Sequence, residues 1–114
     1  MELQTIRADD SATHVALVGR LDLAGVQQIE MKFTTLLAAR GKPAVVDLSQ
    51  TSYLASLGLR VLLTTARAVS GKGNKLVLLN PSPEVLQVLQ LAKIDAIIPV
   101  ETDLARALTL AGVK

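Results

Sequence analysis

Apolar positions along this chain follow two rhythms that alternate from one end to the other. Leu3 to Arg7 and Thr13 to Gly19 read as two strands joined by the polar turn Asp9-Asp10-Ser11. In the second, Val15 and Leu17 alternate with His14, Ala16 and Val18, so both faces carry some cover. A three- and four-residue spacing then takes over, with Val26, Ile29, Phe33 and Leu36 or Leu37 forming the stripe of a helix. That helix starts at Asp22 and runs to about Arg40, where Gly41-Lys42-Pro43 stops it. Ala44 to Leu48 is short, β-branched and almost wholly apolar, as a buried parallel strand requires. A loop from Gln50 to Ala55 leads to a helix from Leu57 to about Ser70. Leu59, Leu62, Leu63, Ala66 and Val69 form its buried stripe, and Arg60, Thr64 and Arg67 its polar side.

After the turn Gly71-Lys72-Gly73-Asn74, Lys75 to Leu79 is a further apolar strand. Ser82 as N-cap, Pro83 at the first helical position and Glu84 in the first turn predict a short helix carried by Val85, Val88, Leu89 and Ala92. Ile97 to Val100 predicts an edge strand, where Pro99 is tolerated. A last helix starts near Thr102-Asp103 and uses Leu104, Ala107, Leu108 and Ala111. Strands alternating with helices of this length predict one α/β domain over residues 1–114. Its mixed sheet has about four or five strands and four covering helices.

Composition narrows the chemistry. Half of the 114 residues are apolar, but only Phe33 and Tyr53 are aromatic, so aliphatic side chains fill the core. There is no cysteine and only one histidine, which removes disulfides, thiol catalysis and the usual zinc ligand sets. The net charge of +2 comes from scattered basic residues and is not the footprint of a nucleic-acid binder. Met1-Glu2-Leu3-Gln4 does not open a signal peptide, and no apolar run approaches the ~20 residues of a membrane helix. The expectation is a cytoplasmic protein with no cofactor and no direct insertion into a membrane. No nucleophile–base pair, metal set or phosphate loop is visible, so an enzyme is not expected. Gly71-Lys72-Gly73-Asn74-Lys75 lacks phosphate-loop spacing and precedes a strand, which makes it a turn.

One position stands apart. Ser56 falls at the start of a helix, just past the carboxyl end of a central strand, where unpaired N–H groups and the helix dipole favour an anion. A serine there serves as a helix cap and is also well placed to carry a phosphate. Asp22 is a good helix-start residue. Asp47 is expected to accept hydrogen bonds from loop N–H groups, and His14 to be a partly covered strand residue. Arg60 adjoins Ser56 on its helix and is suited to pair with a phosphate there.

Four pieces in this order, Val18-Gly19-Arg20-Leu21-Asp22, Val46-Asp47-Leu48-Ser49, Ser56-x-Gly58-Leu59-Arg60-Val61-Leu62 and Leu78-Leu79-Asn80-Pro81-Ser82-Pro83, resemble the STAS domain family. This is the sulfate-transporter and anti-sigma-factor-antagonist module, and the resemblance runs from Leu3 to about Ala111. It implies an anti-sigma factor antagonist, which binds an anti-sigma factor that is also a serine kinase. ATP-dependent phosphorylation releases the antagonist, and a phosphatase resets it. Ser56 matches the family's phosphorylated serine. Asp22, Ala55, Leu57, Gly58, Leu59 and Arg60 match the partner-facing surface, with Asn80 and Pro81 nearby. Two positions depart from the family pattern: Ala55 stands where an aspartate is common, and Leu57 where a small residue is common. These flanks also fit a second role in the family, an accessory subunit docked constitutively on the ATPase of a membrane ABC transporter for lipid.

Overall fold

The computed structural model describes all residues from 1 to 114. Six strands form its sheet: β1 (Glu2–Ala8), β2 (Thr13–Leu21), β3 (Ala44–Asp47), β4 (Thr51–Leu54), β5 (Leu76–Leu79) and β6 (Val100–Glu101). Four helices accompany them: α1 (Leu23–Phe33), α2 (Ser56–Ser70), α3 (Pro83–Leu91) and α4 (Leu104–Ala111). The main sheet runs β1-β2-β3-β5-β6, with β1 antiparallel to β2 and the other neighbours parallel. The tight turn at Asp9 explains the antiparallel pair. Its carboxylate accepts the N–H groups of Ser11 at 2.8 Å and Ala12 at 3.0 Å, reversing the chain without a crossover helix. Arg7, first, and those two amides hold the Asp9 carboxyl at about 2.

β2 is nine residues long, whereas β3 is four. Thr13 to Ala16 pair with β3, and Gly19 to Leu21 continue beyond it to pair with β4. The expected loop from Gln50 to Ala55 therefore contains a strand. Four residues of mixed polarity carry no strong signal of their own; this strand exists because the end of β2 needs partners for its backbone groups. The hydroxyl of Thr51 reinforces it by donating to the carbonyl of Leu17 at 2.8 Å, fully buried.

The larger core lies on one face of the sheet, where Val15, Leu17, Val46, Leu48, Leu76 and Leu78 meet Val26, Ile29, Phe33, Val61, Leu62, Val69, Val85 and Leu89. On the other face Val45, Val77 and Leu79 meet Ala107 and Ala111 of α4. The small side chains of α4 allow it to lie close to the strands. Asp103 caps it by accepting the Arg106 N–H at 2.9 Å.

Three further expectations are corrected. The first helix is α-helical only to Phe33, and Thr34–Ala39 forms a wider π-helical turn before Gly41 ends the segment at φ +62°. There the Thr34 hydroxyl donates back to the carbonyls of Glu30 at 2.9 Å and Met31 at 3.2 Å, a bond that competes with the regular ladder. The expected strand at Ile97–Val100 is displaced. Ile94–Ala96 make a 3₁₀ turn, and the strand is Val100–Glu101. The Ile97 and Ile98 amides are used by Ile94 at 2.8 Å each, and sheet bonding begins where the carbonyl of Pro99 accepts from Leu78 at 2.9 Å. Finally, His14 is not partly covered but buried, and its Nε2 has no hydrogen-bond partner.

Burial pushes the His14 imidazole below its ordinary 6.5, and Arg7 acts in the same direction while Asp47 opposes it. The native state therefore favours the neutral imidazole more than the unfolded chain does. Its contribution to stability is complete above about pH 6.5 and declines as pH falls below that value, because the unfolded chain then binds the extra proton. Urea unfolding is expected to show this loss between neutral pH and the carboxylate range, and His14→Gln to remove it.

Candidate functional site

Several loops leave the sheet at the carboxyl end of its parallel strands, where ligands of open α/β sheets usually sit. Leu21 pairs with Leu54, and the carbonyl of Leu21 accepts the N–H of Ala55 at 3.0 Å. The last residues of β2 and β4 are thus bonded side by side, and Asp22 and Ser56 follow directly from them. α2 then passes closely over β2 because Gly58 has no side chain: a Cβ there would lie 2.8 Å from both the carbonyl oxygen and Cγ of Leu21. Gly25 does the same for α1, since its Cβ would lie 2.0 Å from the carbonyl oxygen of Arg20.

Asp22 caps α1. Its Oδ1 accepts the Gly25 N–H at 2.9 Å, and its Oδ2 lies 3.3 Å from Nε of Arg20. The Gly25 amide, aided by Arg20, holds this carboxyl below its ordinary range. At α2 the cap position belongs to Ala55, which has the extended backbone of a cap (φ −91°, ψ 168°) but only a methyl side chain, with no oxygen to accept a hydrogen bond. Ser56 is the first helical residue rather than the cap, which corrects one expectation, and it is exposed. No side chain of the cap residue therefore occupies the first N–H groups of α2, and the positive end of the helix dipole lies beside the serine.

Of the other expected surface residues, Arg60 is exposed, while Ala55, Leu57 and Leu59 are half-buried. Leu57 and Leu59 pack against the core. Gly58 is buried, so its role is to seat the helix rather than to offer a side chain. Asn80 is exposed in the left-handed region at φ +51°, where asparagine is tolerated, and its N–H donates to the carbonyl of Glu101 at 2.7 Å. Pro81 is half-buried beside it. Ser82 occupies the cap position of α3 without capping it. Its hydroxyl donates instead to the carbonyl of Thr51 at 2.9 Å, tying the Asn80–Pro81 loop to β4. Asp47 accepts the Ser49 N–H at 2.8 Å, the structural role expected of it.

One residue of this surface, Tyr53, and its pairing with Arg20 are not evident from sequence. Arg20 and Tyr53 are register partners on β2 and β4, and the guanidinium lies 4.3 Å from the ring centroid. Together with Asp22 they place a cation, an aromatic ring and a carboxylate next to the start of α2. Only the Arg20 half was visible, inside the Gly-Arg-Leu-Asp motif; the pairing depends on β4.

A family profile described as Mlab, STAS domain matches residues 4–100, so the chain belongs to the STAS domain family. Among curated proteins it is 29% identical over 91 residues to BtrV of Bordetella bronchiseptica, whose role as an anti-sigma factor antagonist is given by its name alone. That match covers 80% of this chain and 78% of BtrV. An anti-sigma factor antagonist from Mycobacterium paratuberculosis superimposes with a TM-score of 0.82 at 25% identity, covering 96% of this chain and 94% of that one. SpoIIAA in its unphosphorylated form superimposes with a TM-score of 0.78 at 23% identity, covering 99% of each chain. Phosphorylated Bacillus SpoIIAA gives 0.69 at 22% identity, covering 95% of this chain and 97% of that one. No helix is long and apolar enough to cross a membrane.

Gly58→Ala is expected to cost about 1–3 kcal/mol, because the Leu21 carbonyl cannot move without disturbing the β2–β4 pairing. Denaturant midpoints of the two proteins measure it.

Proposed function

We propose that this protein is a non-catalytic anti-sigma factor antagonist whose partner is an anti-sigma factor acting also as a serine kinase, and that phosphorylation of Ser56 releases it. The observation that carries this reading is the position of Ser56: exposed, first in α2, and beside the strand-end surface formed by Asp22, Arg20 and Tyr53. Family membership supports it, as do BtrV and the Mycobacterium protein, both named as antagonists. That SpoIIAA has been solved both with and without its phosphate fits a modification that leaves the fold in place.

In the transfer the Ser56 hydroxyl oxygen bonds to the γ-phosphorus of ATP held by the kinase. The bond to the bridging oxygen breaks, ADP leaves, and the hydroxyl proton passes to a base on the kinase. This chain supplies only the acceptor. The product gains roughly −1.5 to −2 charge and three acceptor oxygens. At the start of α2 that charge is stabilised by about 0.3–1 kcal/mol, so the fold tolerates it. In a closed protein interface the same group must lose its water and meet a surface shaped for a neutral hydroxyl. A loss of ~3–4 kcal/mol there lowers affinity by two to three decades. Asp22, Ala55, Leu57, Leu59, Arg60, Asn80 and Pro81 make up the contacting surface, with Gly58 holding its geometry.

Native and Ser56→Asp proteins used as baits in lysate of the source cells test this reading, with melting temperatures taken in parallel. The expected result is an anti-sigma-type serine kinase retained by the native bait, reduced at least about tenfold on the aspartate bait, with little change in Tm. Equal retention of a transporter ATPase by both baits overturns it.

A further inference from the structure

β2, β3 and β5 begin in register at the end of the domain opposite Ser56. The segments that lead into them are knit together there. The Ala44 N–H donates to the carbonyl of Lys75 at 3.1 Å, and the Lys75 N–H to that of Ala111 at 2.9 Å. Basic residues scattered in the sequence meet at this end. Arg40 and Lys42 precede β3, Lys72 and Lys75 precede β5, Arg67 lies in the last turn of α2, and Lys93 follows α3. Arg40 and Lys72 are engaged: one donates to the Thr13 hydroxyl at 3.1 Å, the other to the Ala39 carbonyl at 2.6 Å. Lys42, Arg67, Lys75 and Lys93 join none of the ion pairs. Cations near helix C-termini complement the dipole, which gives Arg67 and Lys93 a structural reason, but Lys42 and Lys75 lie beyond those last turns. The acids at this end are Asp9, Asp10 and Asp95, and Asp9 is taken by Arg7. The opposite end reverses the balance, with Asp22, Asp47, Glu84, Glu101 and Asp103 against Arg20, Arg60 and Arg106. Apolar side chains adjoin the basic end. Ile97 is 61% exposed, and with Ser70, Lys75 and Leu76 it lines a shallow hollow of about 130 Å³. Leu91, 76% exposed, ends α3 on the same side.

We infer that this basic end docks on the surface of a bilayer containing anionic phospholipids. Phosphorylation of Ser56 has no part in it. Lysine ammoniums on long stems suit a diffuse negative surface, and each is worth about fivefold in binding near one. Ile97 and Leu91 enter the headgroup boundary and supply a second, apolar signal beside the electrostatic one. A nucleic acid has no use for those two side chains. It would also find no ring to stack on, since Phe33 is buried and Tyr53 lies at the other end. Helix C-termini, moreover, turn carbonyls and not N–H groups toward a phosphate. The charge asymmetry also sets the orientation. The surface that attracts the basic end repels the acidic one, so Ser56 and its neighbours face away from the lipid and stay open to a protein.

Sedimentation with vesicles of phosphatidylcholine, with and without phosphatidylglycerol, measures the docking at low and at high salt. Native protein is compared with Lys75→Gln/Lys93→Gln, with Ile97→Ser, and with Lys32→Gln/Arg106→Gln, which removes the same charge elsewhere. Melting temperatures establish that each is folded. Native protein is expected to pellet with the phosphatidylglycerol vesicles only and to be released by salt. The Lys75→Gln/Lys93→Gln protein should bind at least about tenfold more weakly, and the Lys32→Gln/Arg106→Gln protein close to native. Ile97→Ser should weaken binding while leaving its salt dependence in place. No binding to anionic vesicles, equal binding to both kinds, or equal losses in the two double variants overturns the inference. So does tighter binding to double-stranded DNA or to polyglutamate than to the anionic vesicles, which would assign the cations to a different partner.

Discussion

The carbonyl of Leu21 occupies a point on which the rest of this surface depends. It accepts the N–H of Ala55, ending β2 and β4 together, and it lies beneath Gly58, so that α2 crosses immediately above it. A hydrogen bond sets one approach and van der Waals contact the other. Asp22 is the next residue after Leu21, and Ser56 the next after Ala55. The relative position of the two helix starts therefore follows from backbone contacts and not from flexible side chains. A surface built this way is rigid before any partner arrives, which lowers the ordering cost of association.

Around that point the charges are arranged unevenly. Arg20 is engaged twice, with the Asp22 carboxylate and with the Tyr53 ring, whereas Arg60 is engaged with neither an acid nor a ring. Asp22 is held ionised by an amide and a guanidinium. Two cations of similar exposure thus differ in availability, one satisfied at home and one not. The positive start of α2 adds to the potential of the second.

Much of this architecture was legible in the residues. The unbroken apolar run Ala44–Leu48, the stripe of α2 and the Pro83–Glu84 helix start each agree with their structure because local preference and tertiary demand coincide there. β4 was not legible, since Thr51–Leu54 pairs only because β2 outruns β3, a fact about lengths in space. The π turn was hidden because Leu36 and Leu37 satisfy a helical stripe whether the turn is regular or wide. Ser56 read as a cap because serine prefers that position, yet the extended backbone of Ala55 places the boundary one residue earlier. The family resemblance nominated the surface that is proposed to meet a partner, while the Arg20–Tyr53 stack and the unpaired Thr65 hydroxyl depend on the packing of separated segments.

The first three turns of α2 divide their positions sharply. Gly58, Val61, Leu62 and Thr65 are buried, and Ser56, Arg60 and Thr64 are exposed. The two sets are interleaved on one rigid rod but answer to different demands. Substitutions in the second set alter what the surface says without touching how the domain is built. A cell carrying several copies of such a domain has a simple route to keeping their messages separate: hold the inward positions constant and let the outward ones diverge. Insulation between parallel signalling routes is then written in three or four side chains on a common scaffold.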